Sequence, residues 1–325
     1  MNVPEASVVI PLYNKAPYIK RAIDSVLSQT VQNFEIIIIN DGSTDGSEKI
    51  VEEYHDSRIH LINQENRGVS SARNHGIDVA NAELIAFLDA DDEWLPEFLE
   101  TILRLRKKYP DAGMYTTLTS YVSDNGRETI QRVHGIQSDW EGIIPSVFYC
   151  AAMTGCGIFP GQSSSIAIPK TVFRKVGKFR EDSTMGEDQD MWGRIALYYT
   201  NAHSSKALVR YMHDDVSSLT RIKTLKILDR YPFQSSIDEL VDKGEIYPET
   251  MSYDLKLYLN SLNIGLASNY NSIGNNKRAR KMLKNVTYPE LRVLKFKCYI
   301  MTYPPKVLVP YISKVILKIQ RFNRN

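Results

Sequence analysis

Cysteine is scarce: Cys150, Cys156 and Cys298 are the only three in 325 residues, and no two form a CxxC pair. An odd, scattered set excludes a disulfide framework and reads as reduced thiols in a reducing compartment. There is no HExxH and no Cys/His cluster, which counts against zinc. The turn after the first apolar run, residues 12–17, has no glycine, so it is not a dinucleotide fingerprint, and no Walker pattern occurs anywhere. Nicotinamide dehydrogenases and P-loop NTPases are therefore disfavoured. One uncharged stretch, residues 142–169, is long enough to suggest a membrane span. Pro145, Gly155, Gly157, Pro160 and the serines 163–165 interrupt it, and a spanning helix is not expected. No signal-peptide pattern precedes the first strand-like segment, so a cytoplasmic location is the expectation.

The chain is 43% hydrophobic and 24% charged, enough apolar content for a sizeable core. Its net charge is only +2, but the charge is uneven. From Lys277 to the end there are 13 Lys/Arg against one acid, Glu290, leaving −10 on residues 1–276. A basic tail on an acidic body points to an anionic surface, either membrane or nucleic acid. Residues 307–322 alternate apolar and basic positions as an interfacial helix does, with Pro310 limiting its length. Tyr288, Phe296, Tyr299, Tyr303, Tyr311 and Phe322 lie among the cations, as on a stacking surface. Membrane is the preferred partner, nucleic acid the disfavoured one, and a solvated basic face the plain alternative. Asn285-Val286-Thr287 matches a glycosylation sequon and is read as chance.

The first 120 residues alternate strand and helix patterns. Strands are expected at 7–10, 34–40 (four consecutive isoleucines, buried on both faces), 59–63 and 84–88. Helices are expected at 17–29, from caps at Ser43, Thr44 or Asp45 to about 54, at 68–80, and from Pro96 to 109. Further strands are expected at 114–122, 163–168 and 206–212, and a helix at 187–199. Beyond 218 the pattern is helical. The fold class is α/β, a doubly wound and mostly parallel sheet over residues 1–218, followed by a helical, basic region over 219–325.

Ligands of open parallel sheets bind beyond the carboxyl ends of the strands. Three polar clusters fall there: Pro11-Leu12-Tyr13-Asn14, Asn40-Asp41-Gly42-Ser43 and Asp89-Ala90-Asp91-Asp92. On extended backbone Asp89 and Asp91 would face the same way, a pair suited to Mg²⁺ or Mn²⁺. The competing reading is a helix-capping cluster ahead of Pro96. With no glycine loop to hold phosphate, a metal is the expected means of neutralising a diphosphate.

The blocks VVIPLYN, NDGSTDGS, NRGVSSARNHG, FLDADDEW and GEDQDMW occur in the order and spacing of inverting family 2 glycosyltransferases of the GT-A fold, and the sequence resembles bacterial members acting in cell-surface polysaccharide assembly. The resemblance covers about residues 5–218. It implies transfer of a sugar from a nucleotide-diphosphate donor, read as a UDP-sugar, to a hydroxyl of a saccharide or lipid-linked acceptor, at the inner face of the cytoplasmic membrane. Pro11, Tyr13 and Asn14 would border the nucleotide. Asp41 would accept a hydrogen bond from the base, with an Asx-turn role as the alternative. Arg73 would help hold the donor, its alternative being an exposed helical arginine. Asp89 and Ala90 would approach the ribose or donor sugar. Asp91 would ligate Mn²⁺ or Mg²⁺, and His213 would meet the metal or the diphosphate.

Asp188 would be the catalytic base, with Glu187 next and helix-terminal acids, Asp190 included, as the competing reading. The segment 162–165, Gln162 and Ser163 foremost, would line the acceptor side, and Trp192 would wall it or sit in the core. Two other readings remain open: a non-catalytic nucleotide-sugar binder, and a nucleic-acid binder acting through the tail.

Overall fold

The computed structural model describes residues 3–123, 125–130, 132–154, 159–183, 185–212 and 228–302. The chain divides into two compact units, Met1–Val147 with Phe159–Lys223, and Phe148–Ile158 with Thr224–Asn325.

In the first unit the opening alternation is β1 (Ala6–Leu12), α1 (Ile19–Leu27), β2 (Phe34–Asp41), α2 (Ser47–Glu52), β3 (Ile59–Gln64), α3 (Val69–Val79) and β4 (Leu84–Phe87). Then come β5 (Glu93–Trp94), α4 (Phe98–Lys108), β6 (Met114–Val122), β7 (Glu128–Ile130), β8 (Glu141–Ile143) and α5 (Val147–Met153), whose residues from Phe148 on belong to the second unit. A 3-10 turn, Ser163–Ser165, leads into β9 (Ile166–Pro169), α6 (Lys170–Val176), α7 (Glu187–Ala196) and β10 (Asn201–Met212). The strand expected from residue 163 thus begins only at Ile166. The serines bond locally instead: Ser165 Oγ donates to the Gln162 carbonyl at 3.1 Å and accepts from its N–H at 2.8 Å.

The sheet runs β3-β2-β1-β4-β9-β6-β10-β5. β1 to β4 pair in parallel, as do β6 and β10, so most of the ladder is parallel. β9 enters antiparallel between β4 and β6, and the short β5, β7 and β8 pair antiparallel at the margins. All eight residues of β2 are buried, as the isoleucine run requires. One sheet face packs Val8, Ile10, Leu12, Ile36 and Ile38 with Ile19, Ile23 and Val26 of α1 and Phe98 and Ile102 of α4. Each such side chain contributes about 1.5–3 kcal/mol by leaving water. On the other face α3 lies so close to β1 that a Cβ on Gly76 would stand 2.4 Å from Val9 Cγ1.

The second unit is helical: the rest of α5 joins α8 (Pro232–Asp242), α9 (Tyr253–Ser272), α10 (Asn276–Lys284) and α11 (Arg292–Ile300). Phe148, Phe233 and Tyr258 form a ring cluster with centroids 5.6–6.0 Å apart. Among the described residues no helix is long and apolar enough to cross a membrane. Residues 307–322 and His213 lie outside the described residues.

Candidate active site

The loops after β1 and β2 are stitched together. Asn14 takes a left-handed conformation (φ 51°), which Asn tolerates better than most side chains. There its N–H donates to Ser43 Oγ at 3.1 Å and its Oδ1 accepts from Thr44 N–H at 2.8 Å. The Lys15 N–H donates to Ser47 Oγ at 2.9 Å. Tyr13, beside this seam, is 48% exposed, while Pro11 is half-buried inside β1.

Asp41 is buried at the end of β2. Its Oδ1 accepts from Gln64 Nε2 at 2.7 Å and Arg67 N–H at 2.9 Å, and its Oδ2 from Gly68 N–H at 2.8 Å. A carboxylate offers about four acceptor positions, so about one remains for a ligand. The Asx-turn belongs to the neighbouring residue: Asn40 Oδ1, not Asp41, accepts the Ser43 N–H at 3.0 Å.

After β4 the backbone turns instead of extending. The Asp92 N–H donates to the Asp89 carbonyl at 3.0 Å, so the expectation that Asp89 and Asp91 share one face of a strand does not hold. Each finds its own cation. Asp91 pairs with Lys15 Nζ at 2.7 Å and Asp89 with Arg73 at 2.9 Å. Arg21 donates to the Asp91 carbonyl. Asp92 is fully enclosed, accepting from the Ser164 hydroxyl and, at 3.4 Å, from the N–H of Met212 at the end of β10. Burial, then Asp89 and Asp91, push the Asp92 carboxyl well above the ordinary range. Burial also raises Asp91, with Lys15 pulling it down and Asp89 pushing it up. The Ala90 side chain is buried, so only its backbone is available to a donor.

Arg73 is not an exposed helical arginine. It is buried on α3, over the Phe179 ring at 5.4 Å, and spans from Asp89 to Glu187 at 3.2 Å. Burial works against its charge, but Asp89 and then Glu187 outweigh this and raise its pKa. Glu187 is itself raised, by burial and then by Asp188, with Arg73 opposing. Gly186, left-handed at φ 79°, starts α7 and puts both acids in its first turn. Asp188 is half-buried, and its Oδ1 accepts the adjacent Gln189 N–H at 2.7 Å. Asp190 is no helix-terminal ornament. It is buried and paired with Arg194 at 2.8 Å.

Trp192 is fully buried, edge-on to Phe179 at 5.9 Å, so it is core and does not wall an acceptor site. Gln162 is half-buried and donates to the Tyr121 hydroxyl, and Ser163 is buried. The next serine was expected beside them on the acceptor side, and its tie to the acidic turn was missed. Ser164 accepts the Asp89 N–H at 3.1 Å, donates to Asp92, and offers its carbonyl to Trp94 Nε1 at 2.6 Å, fixing the acidic turn from below. Lys15 and Arg21 were also missed, although a lysine directly after PLYN and opposite three aspartates was there to be noticed.

These elements are an α/β sheet with polar residues converging beyond the carboxyl ends of β1, β2 and β4, acids at the last two, the arrangement of the GT-A fold. The sequence profile described as glycosyl transferase family 2 matches residues 7–177, and the chain belongs to that family. EpsH of Bacillus subtilis, named as a glycosyltransferase, is 45% identical over 106 residues, covering 32% of this chain and 31% of EpsH. The chain therefore spans less than a third of that relative's length. Staphylococcus aureus TarS, residues 1–349 with UDP-GlcNAc, superposes with a TM-score of 0.63 at 18% identity, covering 92% of this chain and 88% of TarS. The mannosyltransferase PcManGT of Pyrobaculum calidifontis, with GDP-Man and Mn²⁺, gives 0.54 at 16% identity over 97% and 86%. At these identities the likeness is one of fold.

Proposed function

We propose that this chain transfers a sugar from a nucleoside-diphosphate donor, read as a UDP-sugar, to a hydroxyl of a saccharide or lipid-linked acceptor, inverting the anomeric centre. The chemistry is assigned to residues 1–218, the setting to surface-polysaccharide assembly at the inner face of the cytoplasmic membrane. One observation carries the reading: a single buried cation, Arg73, ties the acidic turn to the Glu187-Asp188 pair. The donor-side and acceptor-side carboxylates are thereby fixed on a common brace.

Asp188 takes the proton of the acceptor hydroxyl while the oxygen attacks C1. The bond from C1 to the diphosphate oxygen breaks on the opposite face, and the electron pair leaves with the nucleoside diphosphate. Glu187 is committed to Arg73, whereas Asp188 holds a hydrogen bond from one backbone N–H and one, at 3.3 Å, from the Gln189 side chain, which supports Asp188 as the acceptor of the proton. Asp41 keeps about one acceptor position for the base.

A divalent ion fits the acidic turn. The donors are hard carboxylate oxygens, two of them at the end of β4, of the kind such an ion takes alongside phosphate oxygens and water, and an ion there would displace Lys15 from Asp91. Asp91, with Asp89, would hold it. When bound, the ion would supply charge neutralisation for the departing diphosphate.

The test is a panel of nucleotide sugars with Mn²⁺, scored by release of nucleoside diphosphate. Asp91→Ala should lower turnover about a hundredfold or more, since such electrostatic help amounts to several kcal/mol. Its melting temperature should stay near that of the parent. Near-normal turnover would remove the metal reading.

A further inference from the structure

α11 presents to solvent what a surface helix normally hides. At 100° per residue its outer side runs Tyr299, Arg292, Phe296, Ile300, Val293, Lys297. Phe296 and Val293 are each 62% exposed, and the inner side is marked by buried Cys298. The cations thus flank an apolar centre. On α10, Lys277, Lys281 and Lys284 recur at one-turn spacing and are exposed. None of them has a carboxylate partner among the described residues. Glu290, the only acid from residue 277 onward, is held by the Tyr253 hydroxyl at 2.7 Å.

We propose that the outer face of α11 docks on an anionic lipid surface, with Val293, Phe296 and Ile300 entering the headgroup boundary and Arg292, Lys297 and the α10 lysines meeting lipid phosphates. Charge selects this occupant. A second copy of the chain would set Arg292 and Lys297 against themselves. Residues 303–325 carry five Lys/Arg and no acid, so they offer no complement either. A nucleic acid would satisfy the cations but leave Val293 and Ile300 without a stacking role. An apolar stripe edged by basic residues matches a bilayer interface on both counts. The inference rests on the membrane setting of the proposed function but on none of its catalytic residues.

The experiment is flotation of the full chain with phosphatidylcholine vesicles, with and without phosphatidylglycerol. Donor turnover is measured on the same preparations. The parent should float with the anionic vesicles only. Val293→Ser with Phe296→Ser should weaken that binding about tenfold or more, because two apolar side chains no longer enter the interface. Arg292→Glu with Lys297→Glu is a second, independent variant and should do the same. Both should leave turnover and melting unchanged, since Arg292, Val293 and Phe296 are exposed and the half-buried Lys297 has no carboxylate partner among the described residues to lose.

A parent that does not float, or a serine variant that floats as well as the parent, overturns the assignment. So does a concentration-dependent dimer, or an RNA gel shift without flotation, that the serine variant abolishes. A chain that turns over donor without floating refutes this inference alone. One that floats without turnover refutes the catalytic reading alone.

Discussion

Arg73 binds Glu187 but not its neighbour Asp188, and that difference separates the roles of the two acids. Glu187 is 14% exposed at its side chain and bound to the guanidinium, so replacing it strips a buried cation of a partner. Asp188 beside it keeps acceptor capacity. Asp188→Asn should therefore bind donor normally and lose about 10²–10⁴ in transfer rate. Glu187→Gln should instead lower the melting temperature. Donor affinity by calorimetry and single-turnover rates distinguish the two, and the opposite pattern would move the base to Glu187.

A second residue titrates in the core. His203 is fully buried, its Nδ1 2.9 Å from Thr116 Oγ1 and its Nε2 without a partner among the described residues, and burial lowers its pKa from 6.5 to about 4. Between those values the unfolded chain binds a proton that the folded chain refuses. Stability is unaffected above pH 6.5 and falls as pH drops towards 4, by about 3 kcal/mol over the window. Melting curves from pH 7 to 4 should show this slope, and His203→Gln should flatten it.

At the scale of elements, α3 is where packing and chemistry meet, because the helix that carries Arg73 is pressed onto β1 through Gly76. Gly76→Ala would place a methyl 2.4 Å from Val9 Cγ1, so the helix must shift. A loss of about 1–3 kcal/mol is expected from overpacking, read by denaturant unfolding. Turnover should fall with it as Arg73 moves away from Asp89. The elements themselves were legible where periodicity was strong: β2 and α1 fall within two residues of their expected bounds.

The acidic turn was located but its shape was not, because a two-residue spacing cannot tell a strand from a turn closed by the Asp92 N–H. Ser164 was expected on the acceptor side, and its bonds to Asp89 and Asp92 were missed for a related reason. Its role depends on β9 running antiparallel beside β4, a pairing between residues some 80 positions apart that no local pattern announces. Trp192 followed the helical spacing of Asp188, yet that spacing did not reveal that this side of α7 meets Phe179.

At the scale of the whole molecule, the chain leaves the first unit at Phe148, contributes residues up to Ile158 to the second, and returns before finally departing at Thr224. The helical unit is thus built from two separate stretches of sequence. The first stretch supplies Phe148, stacked on Phe233 at 6.0 Å and tilted on Tyr258 at 5.6 Å. A fragment starting at residue 224 carries α8, α9, α10 and α11 among its described residues but lacks one ring of this cluster. Truncating a buried aromatic costs about 3–5 kcal/mol, a large share of what so small a unit can hold. Phe148→Ala in the full chain should therefore accelerate amide exchange in α8 and α9, while exchange in β1 and β2 stays slow. A 224–325 fragment should unfold without a cooperative transition. If the fragment instead melts sharply, or Phe148→Ala leaves α9 protected, the second stretch is self-sufficient and residues 148–158 are only a visitor to it.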